Sequence, residues 1–169
     1  MFFKEKHKML TDEEKIDKII TGLEVYDFGN IILSRKENMM LATFILCTCF
    51  IDHLTQHRYY KQKLKEEKFI FFVKKYLDSK YDAELLYKDL RSKLVHNYSV
   101  NGKYYLSDDK DPTKHLEKLD GRIYLVVDEL IKDLKKALEK YIDELKTDKK
   151  IREIALEHFK KYKILMEKN

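Results

Sequence analysis

Apolar residues recur on steps of three and four along most of the chain. Thr11 followed by Glu14 forms a capping box, in which each side chain accepts from the other residue's backbone N–H at a helix start. Ile16, Ile19, Ile20 and Leu23 follow at helical spacing and predict a first helix to about Tyr26. Gly29-Asn30 is a candidate break, and Ile31 to Ser34 either extends this helix or leads into the next. Asn38 to about His57 predicts a second helix, apolar on nearly every face through Ile51 and therefore the most buried element. Residues 61–67 are charged, either a linker or the first turn of a third helix that carries Phe69, Ile70, Phe72, Val73, Tyr76 and Leu77. Aromatics at this spacing belong to a core rather than to a base-stacking platform. Asp82 N-caps a fourth helix that buries Leu85, Leu86, Leu90 and Leu94.

The helical pattern stops at Asn97-Tyr98-Ser99. Val100-Asn101-Gly102-Lys103 reads as a tight hairpin turn with Tyr104, Tyr105 and Leu106 on the return, followed by a polar loop to Pro112. A long helix starting near Leu119 to Gly121 carries the stripe Ile123, Val127, Leu130, Leu134, Leu138, Tyr141 and Leu145. The polar residues Lys146 to Lys150 bend it, and Ile151, Ile154, Phe159, Tyr162 and Leu165 mark a last helical segment. There is no internal repeat and no low-complexity tract. These elements predict a single all-α domain over residues 1–169, an up-and-down helical bundle of about five helices with a short irregular insertion after the fourth.

Composition agrees with this reading. One proline and four glycines, with 38% charged and 44% hydrophobic residues, fit long helices and short connections. A chain of 169 residues buries a real core. The net charge of +5 permits an RNA or phosphate partner without requiring one, because a solvated lysine-rich surface gives the same figure. Cys47 and Cys49 point to different faces of a helix, so a mutual disulfide is not expected. Met1-Phe2-Phe3 and the lysines after it are not a secretory pattern, and a reducing, cytoplasmic setting follows. The longest apolar run, Met39 to Ile51, is too short to span a bilayer, so no membrane association is implied. His53 and His57 are i, i+4 neighbours and in principle can hold a metal. No third ligand stands at a supporting spacing, so the pair reads as histidines satisfied by hydrogen bonds; no metal or cofactor is implied.

The candidate chemistry lies at the exit of the fourth helix, where Arg91, Ser92, His96 and Tyr98 crowd an otherwise apolar element. On a regular helix Ser92 and His96 are i, i+4 neighbours, whereas Arg91 and His96 diverge by roughly 140°. One ligand meets both only through a long reach of Arg91, an unwound last turn, or a second subunit. A histidine takes or gives a proton near neutral pH, and an arginine clamps phosphate oxygens. RNA brings its own nucleophile, the 2′-hydroxyl, so such a pair can cleave it without metal. Asp89-Ser92-His96 superficially resembles a hydrolase triad, but lies on one exposed helix face with no evident oxyanion hole. Spacing alone favours the plainer reading of a stabilising helix-end pair of cations.

The stretch Leu90-Arg91-Ser92-Lys93-Leu94-Val95-His96-Asn97-Tyr98 resembles the signature of the HEPN superfamily (higher eukaryotes and prokaryotes nucleotide-binding). That signature is an arginine, a polar residue, three more and a histidine, late in a helical bundle. Many members are metal-independent endoribonucleases of toxin–antitoxin, CRISPR-linked or phage-defence systems, and they typically dimerise so that two motifs face one cleft. The resemblance implies an RNA substrate, a homodimer and catalytic roles for Arg91 and His96, with Ser92 orienting the histidine. Ser92 stands where asparagine, aspartate or histidine is more usual, and a weakened site fits the alternative, a non-catalytic module that binds a partner protein or a nucleotide. In the branch paired with a minimal nucleotidyltransferase, the tyrosine two after the histidine is adenylylated. Tyr98 occupies that place, so an antitoxin or nucleotidyltransferase partner is implied there.

Overall fold

The computed structural model describes residues 10–61, 64–97 and 102–161. The Thr11/Glu14 capping box is formed: the Thr11 N–H donates to Glu14 Oε2 at 2.6 Å, and the Glu14 N–H donates to Thr11 Oγ1 at 3.1 Å. It opens helix α1, residues 12–36, which is α-helical over Asp12–Thr21, π-helical over Gly22–Phe28 and α-helical again over Gly29–Lys36. Gly29-Asn30 does not break it, because Gly29 keeps right-handed helical backbone at φ −57 and ψ −39. Ile31 to Ser34 therefore extends the first helix.

Helix α2, Met40–Arg58, is the central element and packs against α1 and every later helix of the bundle. Phe44, Cys47, Ile51 and Leu54 are buried in it. Its threonines are buried as well. Thr43, Thr48 and Thr55 each donate to a carbonyl three or four residues back, and Thr43 Oγ1 also lies 3.0 Å from Ser34 Oγ on α1. Cys47 is buried and Cys49 exposed, so the two thiols do face different ways.

Helix α3, Lys65–Tyr76, buries Phe69, Phe72, Val73 and Tyr76, so the aromatics at helical spacing are core, while Phe71 is exposed. Asp82 caps α4, residues 83–97, by accepting from the Leu85 N–H at 3.0 Å. Leu86, Leu90 and Leu94 anchor α4 in the core. It is not regular as expected: the stretch Leu86–Arg91 is π-helical, between short α-helical ends at Ala83–Leu85 and Ser92–Asn97.

The insertion departs most from expectation. Three strands, β1 (Tyr104–Ser107), β2 (Lys118–Leu119) and β3 (Arg122–Val126), form a sheet in the order β1-β3-β2. Among the described residues Tyr104 to Leu106 does not pair with the preceding chain. It pairs in parallel with β3, from Tyr104 opposite Ile123 to Ser107 opposite Val126. Residues 100 and 101 of the expected hairpin turn lie outside the described residues. The tight hairpin is instead at Asp120-Gly121, where both residues have positive φ, 49 and 76, and join β2 to β3. This is the backbone of a two-residue turn with the preferred Asp-Gly pair. The long helix accordingly starts later than expected, as α5 over Val127–Thr147, and Ile123 belongs to a strand.

Helix α5 carries the expected stripe on one buried face, from Val127 through Leu145. Asp148 then interrupts it and caps the last helix, α6 (Lys149–Lys161), by accepting from the Lys150 and Ile151 N–H groups. Arg35 at the end of α1 ties to Asp128 at the start of α5 through Nε–Oδ1 at 2.6 Å and Nη2–Oδ2 at 3.0 Å. The architecture is a predominantly α-helical bundle with a small sheet at one end. No helix among the described residues is long and apolar enough to cross a membrane.

Candidate functional site

The apolar helix α2 turns polar in its last two turns, where Asp52, His53, Gln56 and His57 follow one another. Both π-helical stretches deliver a side chain here. Arg91 ends the π turn of α4 and reaches Asp52, with Nε and Nη2 each 2.6 Å from Oδ2. Its guanidinium also lies 5.5 Å from the centre of the Tyr87 ring. Asp27 lies in the π turn of α1 and pairs with His53, Oδ2 to Nδ1 at 2.7 Å. Two widened helical turns thus hand an acid and a base to adjacent residues of the central helix. Single π turns inside α-helices are frequent at functional sites.

His53 continues into a row of rings. Its Nε2 is 3.2 Å from His57 Nε2, and the His57 ring is 4.3 Å from the His158 ring on α6. His57 is buried and its Nδ1 has no partner among the described residues. The least costly proton arrangement puts one proton on His53 Nδ1, toward Asp27, and one on His57 Nε2, toward His53; the orphan Nδ1 is then a bare acceptor rather than a stranded donor. Burial, and then the neighbouring His53 and His158, hold the His57 pKa well below the usual histidine range. Burial, followed by the charges of His53 and Lys68, pushes His158 down to about 4. His57 and His158 are therefore neutral at pH 7.

Asp52, His53, Gln56, Lys65, Arg91 and His158 line an open cleft of about 500 Å³. His96 is not among them. It is exposed in the last turn of α4 and makes no hydrogen bond or ion pair among the described residues. Arg91 and His96 are therefore not brought together within one chain: the arginine turns in toward α2 and the histidine faces solvent. Among the described residues no hydrogen bond links Ser92 to His96. Asp89 is taken by Lys93 at 2.6 Å, which leaves no Asp-Ser-His relay. Tyr98 lies outside the described residues. No three His, Cys, Asp or Glu side chains among the described residues are grouped to hold a metal ion.

Arg91, His53 and His57 stand out in the sequence, whereas Asp27, Asp52, Lys65 and His158 are not recognisable there as site residues. The available signal was the abrupt polar end of an otherwise apolar helix. Nothing local marks Asp27, Lys65 or His158, which arrive from three other helices. No known protein family, curated protein or solved structure matches this chain.

Proposed function

We propose that this chain is a metal-independent endoribonuclease of HEPN type that acts in defence, toxin–antitoxin or growth control. The observation that carries this reading is the position of the motif arginine. Arg91 lines a polar cleft with His53, Lys65 and His158, instead of capping its own helix end. In the proposed reaction Arg91 binds the scissile phosphate and His96 serves as general acid/base. The base takes the proton of the 2′-hydroxyl, that oxygen bonds to phosphorus, and the 5′-oxygen leaves with a proton from the acid. Because Arg91 and His96 face apart, the active species is a homodimer in which the arginine of one chain meets the histidine of the other.

The test is cleavage of single-stranded RNA in the presence of EDTA, with DNA left intact. Arg91→Ala and His96→Ala are each expected to reduce the rate by roughly 100-fold or more while the protein stays folded. Activity that depends on added Mg²⁺ or Mn²⁺ overturns the mechanism.

One observation favours the non-catalytic alternative, a HEPN-like module that binds a partner protein or nucleotide: Asp52 already neutralises Arg91. Nucleotide or RNA binding without turnover in the same assay identifies that reading. Tyr98 is the adenylylation site if a nucleotidyltransferase partner exists, on the strength of its place two residues after His96. Mass spectrometry after co-expression with that enzyme locates the adduct.

A further inference from the structure

Lys68, on the buried side of α3, has an environment unusual for a charged group. Its residue is only 5% exposed, and lysines are rarely so buried unless an opposite charge accompanies them. Its Nζ reaches two neutral oxygens, Gln56 Oε1 at 3.3 Å and the Tyr60 carbonyl at 3.5 Å, both long for hydrogen bonds. No carboxylate pairs with it among the described residues. The charge next to it is another cation, Lys65, one turn earlier on α3; burial and Lys65 together lower the Lys68 pKa.

Lys65 is exposed at the wall of the cleft and has no ion pair among the described residues. It is also the first residue of α3, whose N-cap, Leu64, offers no side-chain acceptor to the first-turn N–H groups. Across the cleft stands Arg91. Asp52 engages its Nε and Nη2 through a single oxygen, which leaves three of the five guanidinium N–H donors unused. Gln56, which accepts from Lys68, stands at the same wall, as do the rings of His53 and His158. Opposing negative charge is sparse. Asp52 is the one carboxylate among the lining residues, Asp27 is engaged by His53, and Glu66 faces Lys88 at 3.6 Å.

We infer that this cleft is an anion site that takes a phosphate group, bound by Lys65 and Arg91 from two helices that converge on the end of α2, with the buried charge of Lys68 behind Gln56 adding to the attraction. A planar carboxylate is satisfied by the fork of one arginine. Donors converging from separate helices suit a tetrahedral anion with oxygens on several sides. The inference rests on the endoribonuclease reading only for RNA as the natural source of the phosphate, and anion binding is measurable without cleavage.

The experiment is thermal unfolding of the full chain titrated with inorganic phosphate, against sodium chloride and acetate at matched ionic strength. Wild type is expected to gain melting temperature in a saturable way, by roughly 5 °C when phosphate exceeds its Kd a hundredfold. Lys65→Met and Lys68→Met are each expected to lose most of that gain. Lys68→Met is also expected to melt no lower than wild type without phosphate, because it removes an uncompensated buried charge and keeps the volume. A larger gain with uridine 3′-monophosphate than with inorganic phosphate identifies a nucleotide source, and an equal gain identifies the free anion. Absence of a saturable gain in wild type, or its survival in the exposed Lys65→Met variant, overturns the site. RNA cleavage by a protein blind to phosphate rejects this site and spares the enzyme reading, whereas phosphate binding without cleavage does the reverse.

Discussion

Arg91 meets Asp52 through a single carboxylate oxygen, with Nε and Nη2 both 2.6 Å from Oδ2. The contact fixes the plane of the guanidinium and cancels part of its charge. Asp52→Asn keeps the shape and removes the charge. It is expected to cost about 1 kcal/mol of stability, since both side chains are partly solvated, and to tighten RNA or phosphate binding with a steeper salt dependence. Urea unfolding and fluorescence anisotropy with a labelled RNA read the two effects. Weaker binding in the variant means that Asp52 serves to hold Arg91 in place rather than to mask it.

The outward position of His96 bears on assembly. An Arg91→Ala chain and a His96→Ala chain are each expected to be inactive alone, and to recover part of the RNA cleavage when mixed, because one mixed dimer retains an arginine and a histidine on different chains. A dead mixture beside an active wild type rejects the shared site, as does a wild type that is active as a monomer.

The histidine row predicts the acid side of the stability curve. His57 and His158 have folded pKa values below the ordinary 6.5, His158 at about 4, so the unfolded chain takes up protons first. Stability is intact above pH 6.5, falls as pH drops from 6.5 toward 4, and for His158 levels off below that. The shift on His158 sets an upper limit of about 3 kcal/mol, and its place at the edge of the cleft brings the effect nearer 2 kcal/mol. Urea midpoints at pH 7 and pH 5 measure it, and His158→Phe should flatten the slope. An unchanged slope in that variant assigns the acid sensitivity elsewhere. Asp128 acts lower: Arg35 beside it depresses its pKa to about 2, so its contribution is present above 3.8 and is lost as pH falls toward 2.

Gly121 offers a test of the sheet. Its φ of 76 disfavours any side chain, although a Cβ there meets no atom within 4 Å. Gly121→Ala is expected to cost about 1–2 kcal/mol by backbone strain alone, read as a lower urea midpoint. A neutral effect argues against the Asp120-Gly121 turn.

Much of the bundle was legible because its signals are local. The Thr11/Glu14 box, the Asp82 cap and the all-round apolar run of α2 each lie within a few residues of what they determine. The sheet was obscured because Ile123 and Val127 are four apart, so the end of a strand and the start of a helix continue one helical stripe. The Asp-Gly signal at 120–121 was present but outweighed by that stripe. The parallel pairing of β1 with β3 joins residues about twenty apart and leaves no local trace. The site was half legible: Arg91 stood out, but its partners come from other helices, and the π turns that aim Asp27 and Arg91 have no pattern of their own.

Those two turns also set a constraint on length. An α-helix is a screw of fixed pitch, so the face that packs early dictates the face shown later. One surplus residue in a turn resets the phase by about 100°. In α1 and α4 the widened turn falls where Asp27 meets His53 and where Arg91 meets Asp52. Residue count, and not only residue identity, is thus a specification in both segments. A single deletion in 22–28 or 86–91 would re-aim everything beyond it without changing one remaining side chain.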